Sequence, residues 1–396
     1  MLGADAIKLL KICHFVRSKT HKTEKDPSTS SSMPLHGRDQ AIQTIWEGVV
    51  NNFHYRFEHT KQMHTVFTAI GAMGIGKTRI ISDMQELVRK ELVKQKAHPF
   101  FSTNSEFELL EDALEHSKSC KIDFSSGDCY NNLLDNPTRL LDISVSVGIR
   151  IGAHLLFDSY TEDFLGHLLH FVNEDYMLFK DLIHLFRLHN VMRAFQHANN
   201  PEKWKILFIH FDECQKMQGK QQVTKDYSPM SAAQKSLQNA KMIEDYVLAM
   251  FRVLTKYMCT SEITQQNPAA QDKLIIIPAW SGTVVSLDRI IPSSEFRIRS
   301  LDLPLLSREN STELLRSVYC DETLNYPIFQ QYLASIGGIP RGYEAILYKG
   351  MDLAAQKNGI TLDELRIRLK VCKIYIYAIC IYFIYIVMYS INCNCF

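Results

Sequence analysis

Apolar positions recur along the chain with two periods, and the switching between them predicts the elements. Ile42, Ile45, Trp46 and Val49 fall at i, i+3, i+4 and i+7, the stripe of an amphipathic helix, with Asp39 placed as its N-cap. The run "HTVFTAI" (64–70) is β-branched, has strand length and stops at a glycine. A helix follows it, with Ile81, Met84, Val88 and Leu92 on one side. Residues 100–135 are mixed and polar and give no clear element. In "LLDISVSVGIRI" (140–151), Ile143, Val145 and Val147 alternate with serines, which predicts a second strand. From 152 to 200 the pattern is mainly helical.

The strongest strand signal is "KWKILFIHFDECQ" (203–215). Its near-continuous apolar run, Ile206 to Ile209 and Phe211, suits a parallel strand covered on both faces. A polar loop is expected over 216–230, then a helix with Ile243, Val247, Met250, Phe251 and Leu254 as its stripe. "KLIIIPAWSGT" (273–283) reads as another buried strand, ended by Pro278. Residues 300–369 read as helical. Strands alternating with helices imply an α/β fold with an open, mostly parallel sheet. The expected division is a disordered, basic N-terminal tail (1–35) that is polar throughout 17–33, an α/β core (36–299), a small helical domain (300–369) and an apolar extension (370–396). Within the extension, "IYIYAICIYFIYIVMYSI" (374–391) carries no charge and follows a basic flank. It has the length of a short membrane anchor, but its tyrosines are spread throughout and its Ile/Tyr alternation is strand-like. An incidental extension is the competing reading, and membrane contact is expected only if the segment is a true anchor.

Composition narrows the function classes. The chain has 396 residues, 46% of them hydrophobic and 22% charged, with a formal charge of +1. This is ordinary globular composition, and no global field draws the chain onto nucleic acid or an anionic membrane. No CxxC pair occurs among its ten cysteines, so neither a zinc ribbon nor a thioredoxin-type site is signalled. Scattered cysteines point to a reducing, intracellular compartment, cytoplasm or nucleus. The N-terminal apolar run is too short and interrupted for a secretory signal.

The candidate chemistry centres on "GAMGIGKT" (71–78), a match to G-x-x-x-x-G-K-[ST] between a strand and a helix. Chance gives such a match in about one per cent of chains this long at average composition, and the strand–helix context lowers that further. Gly71, Gly74 and Gly76 allow a tight turn that brings the backbone N–H groups of Met73, Ile75, Lys77, Thr78 and Arg79 to a phosphate. Lys77 would bridge the β- and γ-phosphates and Thr78 would ligate Mg²⁺. Asp212 and Glu213 end the 206–211 strand; the first would hold Mg²⁺ and the second would polarise the attacking water. Ser281 and Thr283 follow the next strand, either contacting the γ-phosphate or serving only as a turn. "GGIPR" (337–341) is either a helix C-cap with a proline start or a device that brings Arg341 to the nucleotide. His167, His170, His184 and His189 have helical apolar surroundings, and no third ligand converges on them by spacing. His210 reads as packing, and nothing singles out Arg187 or Arg193.

With these motifs in order, the chain resembles the AAA+/STAND branch of P-loop NTPases. "GAMGIGKT", "ILFIHFDE", "IIIPAWSGT", "LPLLSRENSTELL" and "GGIPRG" carry the likeness. "HGRD" is similar to the Gly-Arg-acid motif near the adenine pocket, which would place Gly37 and Arg38 there. "GGIP" is similar to the lid Gly-x-Pro motif, which carries Pro340 and Arg341 to the nucleotide. Within that branch, "FDECQ", the "SGT" turn and the long interval between Lys77 and Asp212 look most like the NTPase domain of Crinkler-type and retrotransposon hot spot proteins. The resemblance implies a P-loop fold with a helical lid, ATP and Mg²⁺ as ligands, and ATPase activity. A nucleotide-gated switch and a nucleic-acid-associated ATPase are the alternatives. A protein or nucleic-acid partner and nucleotide-dependent self-association are further expectations. A Crinkler-type effector would leave its cell by a non-obvious route and act in a host cell. Neither the N-terminal segment typical of such proteins nor a nuclease motif is recognisable here, and no GTP-specifying NKxD occurs.

Overall fold

The computed structural model of the chain describes residues 8, 35–58, 60–97, 105–126, 128, 142–171, 182–198, 202–213, 245–246, 248–255, 257–258, 273–282, 296–316, 324–325, 327–343 and 346. Contacts divide the chain into two compact units, Met1–Leu306 and Ser307–Phe396. Leu301 and Leu303 bury in a core of the first unit, and the Leu301 N–H donates to the Thr68 carbonyl at 2.7 Å.

The first unit is built on five strands: β1 (Thr65–Ile70), β2 (Lys118–Asp123), β3 (Lys205–Asp212), β4 (Leu274–Gly282) and β5 (Arg297–Ser300). They form one sheet in the order β2-β3-β4-β1-β5, and every pairing is parallel. Helices cover both faces, as an all-parallel sheet requires. The pleat sends alternate residues to opposite faces. Phe67, Ala69, Ile206, Phe208, Ile275 and Ile277 pack with α1 (Asp39–His54), α2 (Lys77–Ser82), α3 (Met84–Lys96) and α4 (Ser105–Glu115). Leu207, Ile209, Phe211, Ile276 and Trp280 pack with α5 (Ile143–Leu156), α6 (Thr161–Phe171) and α7 (Leu188–Ala198). Met250, Phe251 and Leu254, from helical residues after β3, join this second core.

The chain therefore leaves β1 over one face and leaves β2 and β3 over the other. In open α/β sheets, ligands bind beyond the carboxyl ends of the strands at such a reversal. Here the reversal falls at β1, β4 and β3.

Several elements differ from the expectation. The 140–151 segment is helical from Ile143, not a strand, and the Asp142 carboxylate caps it by accepting from the Ser144 N–H at 3.0 Å. Every residue from Val145 to Ala153 is buried. A helix buried on all sides carries no amphipathic stripe, so the Ile/Val–Ser alternation does not report its conformation. Pro278 does not end β4 but lies inside it. It pairs with Ile209 on β3, while the β1 ladder begins one residue later, at Phe67 and Ala279, so the missing N–H costs no second ladder. Asp39 is the first residue of α1 rather than its cap, and its charge instead complements the helix N-terminus. The helix after β1 is interrupted at Asp83, and Ile81, Met84, Val88 and Leu92 are all buried. Both α4 and β2 lie in the 100–135 stretch.

The second unit is helical among its described residues. It contains α8 (Arg308–Arg316) and α9 (Pro327–Ile336). Leu314, Leu315, Leu324, Phe329, Leu333 and Tyr343 are buried, and the Tyr343 hydroxyl donates to the Leu333 carbonyl at 3.3 Å. No helix among the described residues is long and apolar enough to cross a membrane. The 17–33 tail, the 216–230 loop, Ile243, Val247, Thr283 and the 374–391 segment lie outside the described residues.

Gly148 marks the tightest contact of α5: a Cβ there would stand 1.9 Å from the Phe186 carbonyl oxygen. At Gly152 it would meet only side-chain atoms, the nearest at 3.5 Å. Chemical denaturation should therefore show Gly148→Ala losing about 1–3 kcal/mol or more of stability. Gly152→Ala should cost nothing, since alanine favours the helix.

Candidate functional site

At the end of β1 the chain turns through backbone conformations that favour glycine, with φ of 82° at Gly74 and 96° at Gly76. The Gly71 N–H donates to the Gly282 carbonyl at 3.3 Å and ties the loop to the end of β4. Lys77 opens α2, and its ammonium folds back over the loop to the carbonyls of Gly71 (2.8 Å) and Ala72 (2.6 Å). Burial lowers the Lys77 pKa, while Glu213 and Asp212 work against that shift. Met73 is exposed at the loop tip, Ile75 is buried, and Arg79 lies 3.5 Å from Asp83.

The pleat sets the polar residues. On the face covered by α2, β2 presents Lys121 and Asp123, β3 presents His210 and Asp212, and β4 presents Ser281. Register places Asp123 beside Asp212 and Asp212 beside Ser281. From α2, the Thr78 hydroxyl donates to Asp212 Oδ1 at 3.0 Å, across 134 positions of sequence. The Ser281 hydroxyl donates to the same oxygen. Ser281 Oγ lies 2.7 Å from His210 Nε2, and Ser82 Oγ lies 3.3 Å from His210 Nδ1. Because the Ser281 proton goes to Asp212, Nε2–H donates to Ser281 and Nδ1 accepts from Ser82. Burial pushes the His210 pKa down to about 4, which keeps this ring neutral.

On its other side Asp212 meets Lys121, whose Nζ lies 3.1 Å from Asp212 Oδ2 and 3.2 Å from Asp123 Oδ2. Burial works to raise the Asp212 pKa, but the hydrogen bond from the Ser281 hydroxyl and the charge of Lys121 outweigh it and hold the carboxyl below its usual range. Burial also opposes charge on Lys121, but Asp212 and Asp123 outweigh it and raise that pKa. The two groups are thus an ionised pair. Glu213 stands next in the left-handed region, with φ of 55°, and its N–H donates to the Ser281 carbonyl at 3.0 Å. That conformation costs a residue with a Cβ on the order of 1 kcal/mol.

Arg38, placed near the adenine by the resemblance, contacts the glycine loop. Its guanidinium donates to the Ile75 carbonyl at 2.9 Å and to the Pro304 carbonyl. It braces the loop against the 301–306 segment, with Gly37 (φ 62°) turning the chain into it. Pro340 and Arg341 belong to the second unit. Gly337 and Gly338 adopt φ of 63° and 77° after α9, and Pro340 starts a helical stretch over 340–343. This is the C-cap and proline start.

The sequence pattern gathered Lys77, Thr78, Asp212, Glu213 and Ser281, and these lie together. It did not reach Lys121, Asp123 or Ser82, and it read His210 as packing. The usable signal for β2 was the alternation of Cys120 and Ile122 with charged neighbours in "KSCKID". Elsewhere, Asp112, Glu115 and His116 place ligand atoms within 4.8 Å of one another, but Asp112 pairs with Lys203 at 2.6 Å. No protein-family profile matches the chain, and no curated protein is significantly similar to it.

The depressed Asp212 pKa sets a pH signature. Its contribution to stability is fully present above the unfolded-state value of about 3.9 and is lost as pH falls through the lower folded value. Denaturation should show Asp212→Asn less stable than the wild type at neutral pH, with the gap shrinking only below about pH 4.

Proposed function

We propose that the chain is a P-loop NTPase that binds ATP with Mg²⁺ and hydrolyses it, with the helical second unit as its lid domain. The observation that carries this is the meeting of Thr78 and Asp212 at 3.0 Å beside a glycine loop capped by Lys77. Two hard oxygen donors, one of them an ionised carboxylate, suit Mg²⁺, and they would hold it. The loop suits a phosphate chain: Gly74 and Gly76 have positive φ, and the Lys77 ammonium spans the loop mouth on two carbonyls it can exchange for phosphate oxygens. The bound cation supplies charge neutralisation on the phosphates.

The residues of the chain do the rest. Lys77 draws charge from the β- and γ-phosphates, and the loop N–H groups hold them in line. Glu213 accepts a proton from a water whose oxygen bonds to the γ-phosphorus, while the bond from that phosphorus to the bridging oxygen breaks, giving ADP and phosphate. A glutamate kept in a costly backbone conformation beside Ser281 supports its role as that base. The likeness to Crinkler-type NTPase domains rests on the quoted motifs. A second reading, a nucleotide-gated switch with negligible turnover, is favoured by Arg38, which joins the loop to the last residues of the first unit.

Single-turnover hydrolysis and ATP binding by the full chain test both readings. Glu213→Gln should bind ATP as the wild type does and hydrolyse it about 10²–10⁴-fold more slowly. Lys77→Ala should lose binding. A wild-type rate in Glu213→Gln contradicts the base assignment; binding without turnover in the wild type selects the switch.

A further inference from the structure

Asp212 has 4% of its side chain exposed, and its Oδ2 lies against an ammonium. A buried charge left unpaired is strongly destabilising. Its two hydroxyl donors, Thr78 and Ser281, bring no charge. Lys77 is turned away to the Gly71 and Ala72 carbonyls. The one ammonium in contact with Asp212 among the described residues is Lys121, at 3.1 Å from Oδ2.

We propose that Lys121 is a built-in counter-cation that competes with the divalent cation for Asp212 and yields that carboxylate when the cation enters. The proposal rests on the reading of Thr78 and Asp212 as the cation-holding pair. Its support is the geometry of β2. Asp123 sits opposite Asp212 in register and holds Lys121 by a second contact, at 3.2 Å. Asp123 is itself fixed, since its Oδ1 accepts from the Ser125 N–H (2.9 Å) and hydroxyl (2.6 Å). Lys121 thus keeps one carboxylate when it gives up the other. It also has room to move, with 38% of its side chain exposed against 4% for Asp212. An ammonium on Oδ2 and a divalent ion at Oδ1 beside Thr78 would stand on the two oxygens of one carboxylate, and like charges that close repel strongly in a poorly solvated site. Lys121 is a positioning residue: it touches Asp212 and sets the threshold for cation loading.

The test is Mn²⁺ binding to the nucleotide-free full chain, followed by electron paramagnetic resonance of the unbound ion. Binding lost in Asp212→Asn counts as the site. Lys121→Gln should bind Mn²⁺ about three- to tenfold more tightly than the wild type, since a partly buried competitor is gone. Lys121→Arg should return to the wild-type affinity. Asp123→Asn, which leaves Lys121 with Asp212 alone, should bind more weakly. Lys118→Gln removes a charge from the same strand without touching Asp212 and should change nothing. Equal affinity in Lys121→Gln and wild type overturns the proposal while leaving the cation site standing. An equal gain in Lys118→Gln also overturns it, as bulk charge. No Asp212-dependent Mn²⁺ in either the wild type or Lys121→Gln overturns the cation-site reading and this proposal with it.

Discussion

A buried, ionised carboxylate at the end of β3 is the constraint around which the first unit is arranged. Asp212 is kept charged by donors from three separate segments: Thr78 on α2, Ser281 on β4 and Lys121 on β2. Each comes from a different element, two strands and one crossover helix, so the group is satisfied only when β2, β3, β4 and the helix after β1 are all in register. A one-residue slip of any strand would send its contribution to the opposite face. The same carboxylate that makes the register costly to break is the one that, on the proposed reading, would hold the divalent cation.

The sheet order explains why these segments converge. β4 stands between β1 and β3, so Ser281 reaches Asp212 from one side while the loop after β1 wraps over the next strand. In open α/β sheets ligands bind outside the carboxyl ends where the crossover direction reverses, which is where these segments meet. Two hydrogen bonds one helical turn apart, Thr78 to Asp212 and Ser82 to His210, hold α2 along β3. Arg38 adds a brace from outside, linking the loop carbonyl of Ile75 to Pro304. The loop is therefore tied both to the sheet that carries the acids and to the segment that leads toward the second unit.

Much of this was legible in sequence because it rests on local rules. The glycine loop, the apolar runs of β3 and β4, and the acids that end β3 each follow from residue type and spacing. The rest depends on burial. Because α5 is enclosed on all sides, its apolar pattern has no period to read, and its serines mimic a strand. Pro278 is tolerated because β4 lacks a β1 ladder at that residue, a fact of register rather than of composition. Lys121 and Asp123 are ordinary charged residues in a short strand until parallel pairing sets them beside Asp212. His210 looked like packing because its role is set by two hydroxyls, one on α2 and one on β4.

The central claim is that the loop over 71–78 and the ends of β3 and β4 form one phosphate and cation cradle. Hydrogen–deuterium exchange of the full chain, with and without Mg²⁺ and ATP, tests it most directly. The account predicts slowed exchange concentrated at the amides of 72–79, with smaller protection at Glu213 and Gly282. Unchanged exchange across 72–79 at millimolar Mg²⁺ and ATP, the level that saturates ordinary nucleotide sites, would contradict it.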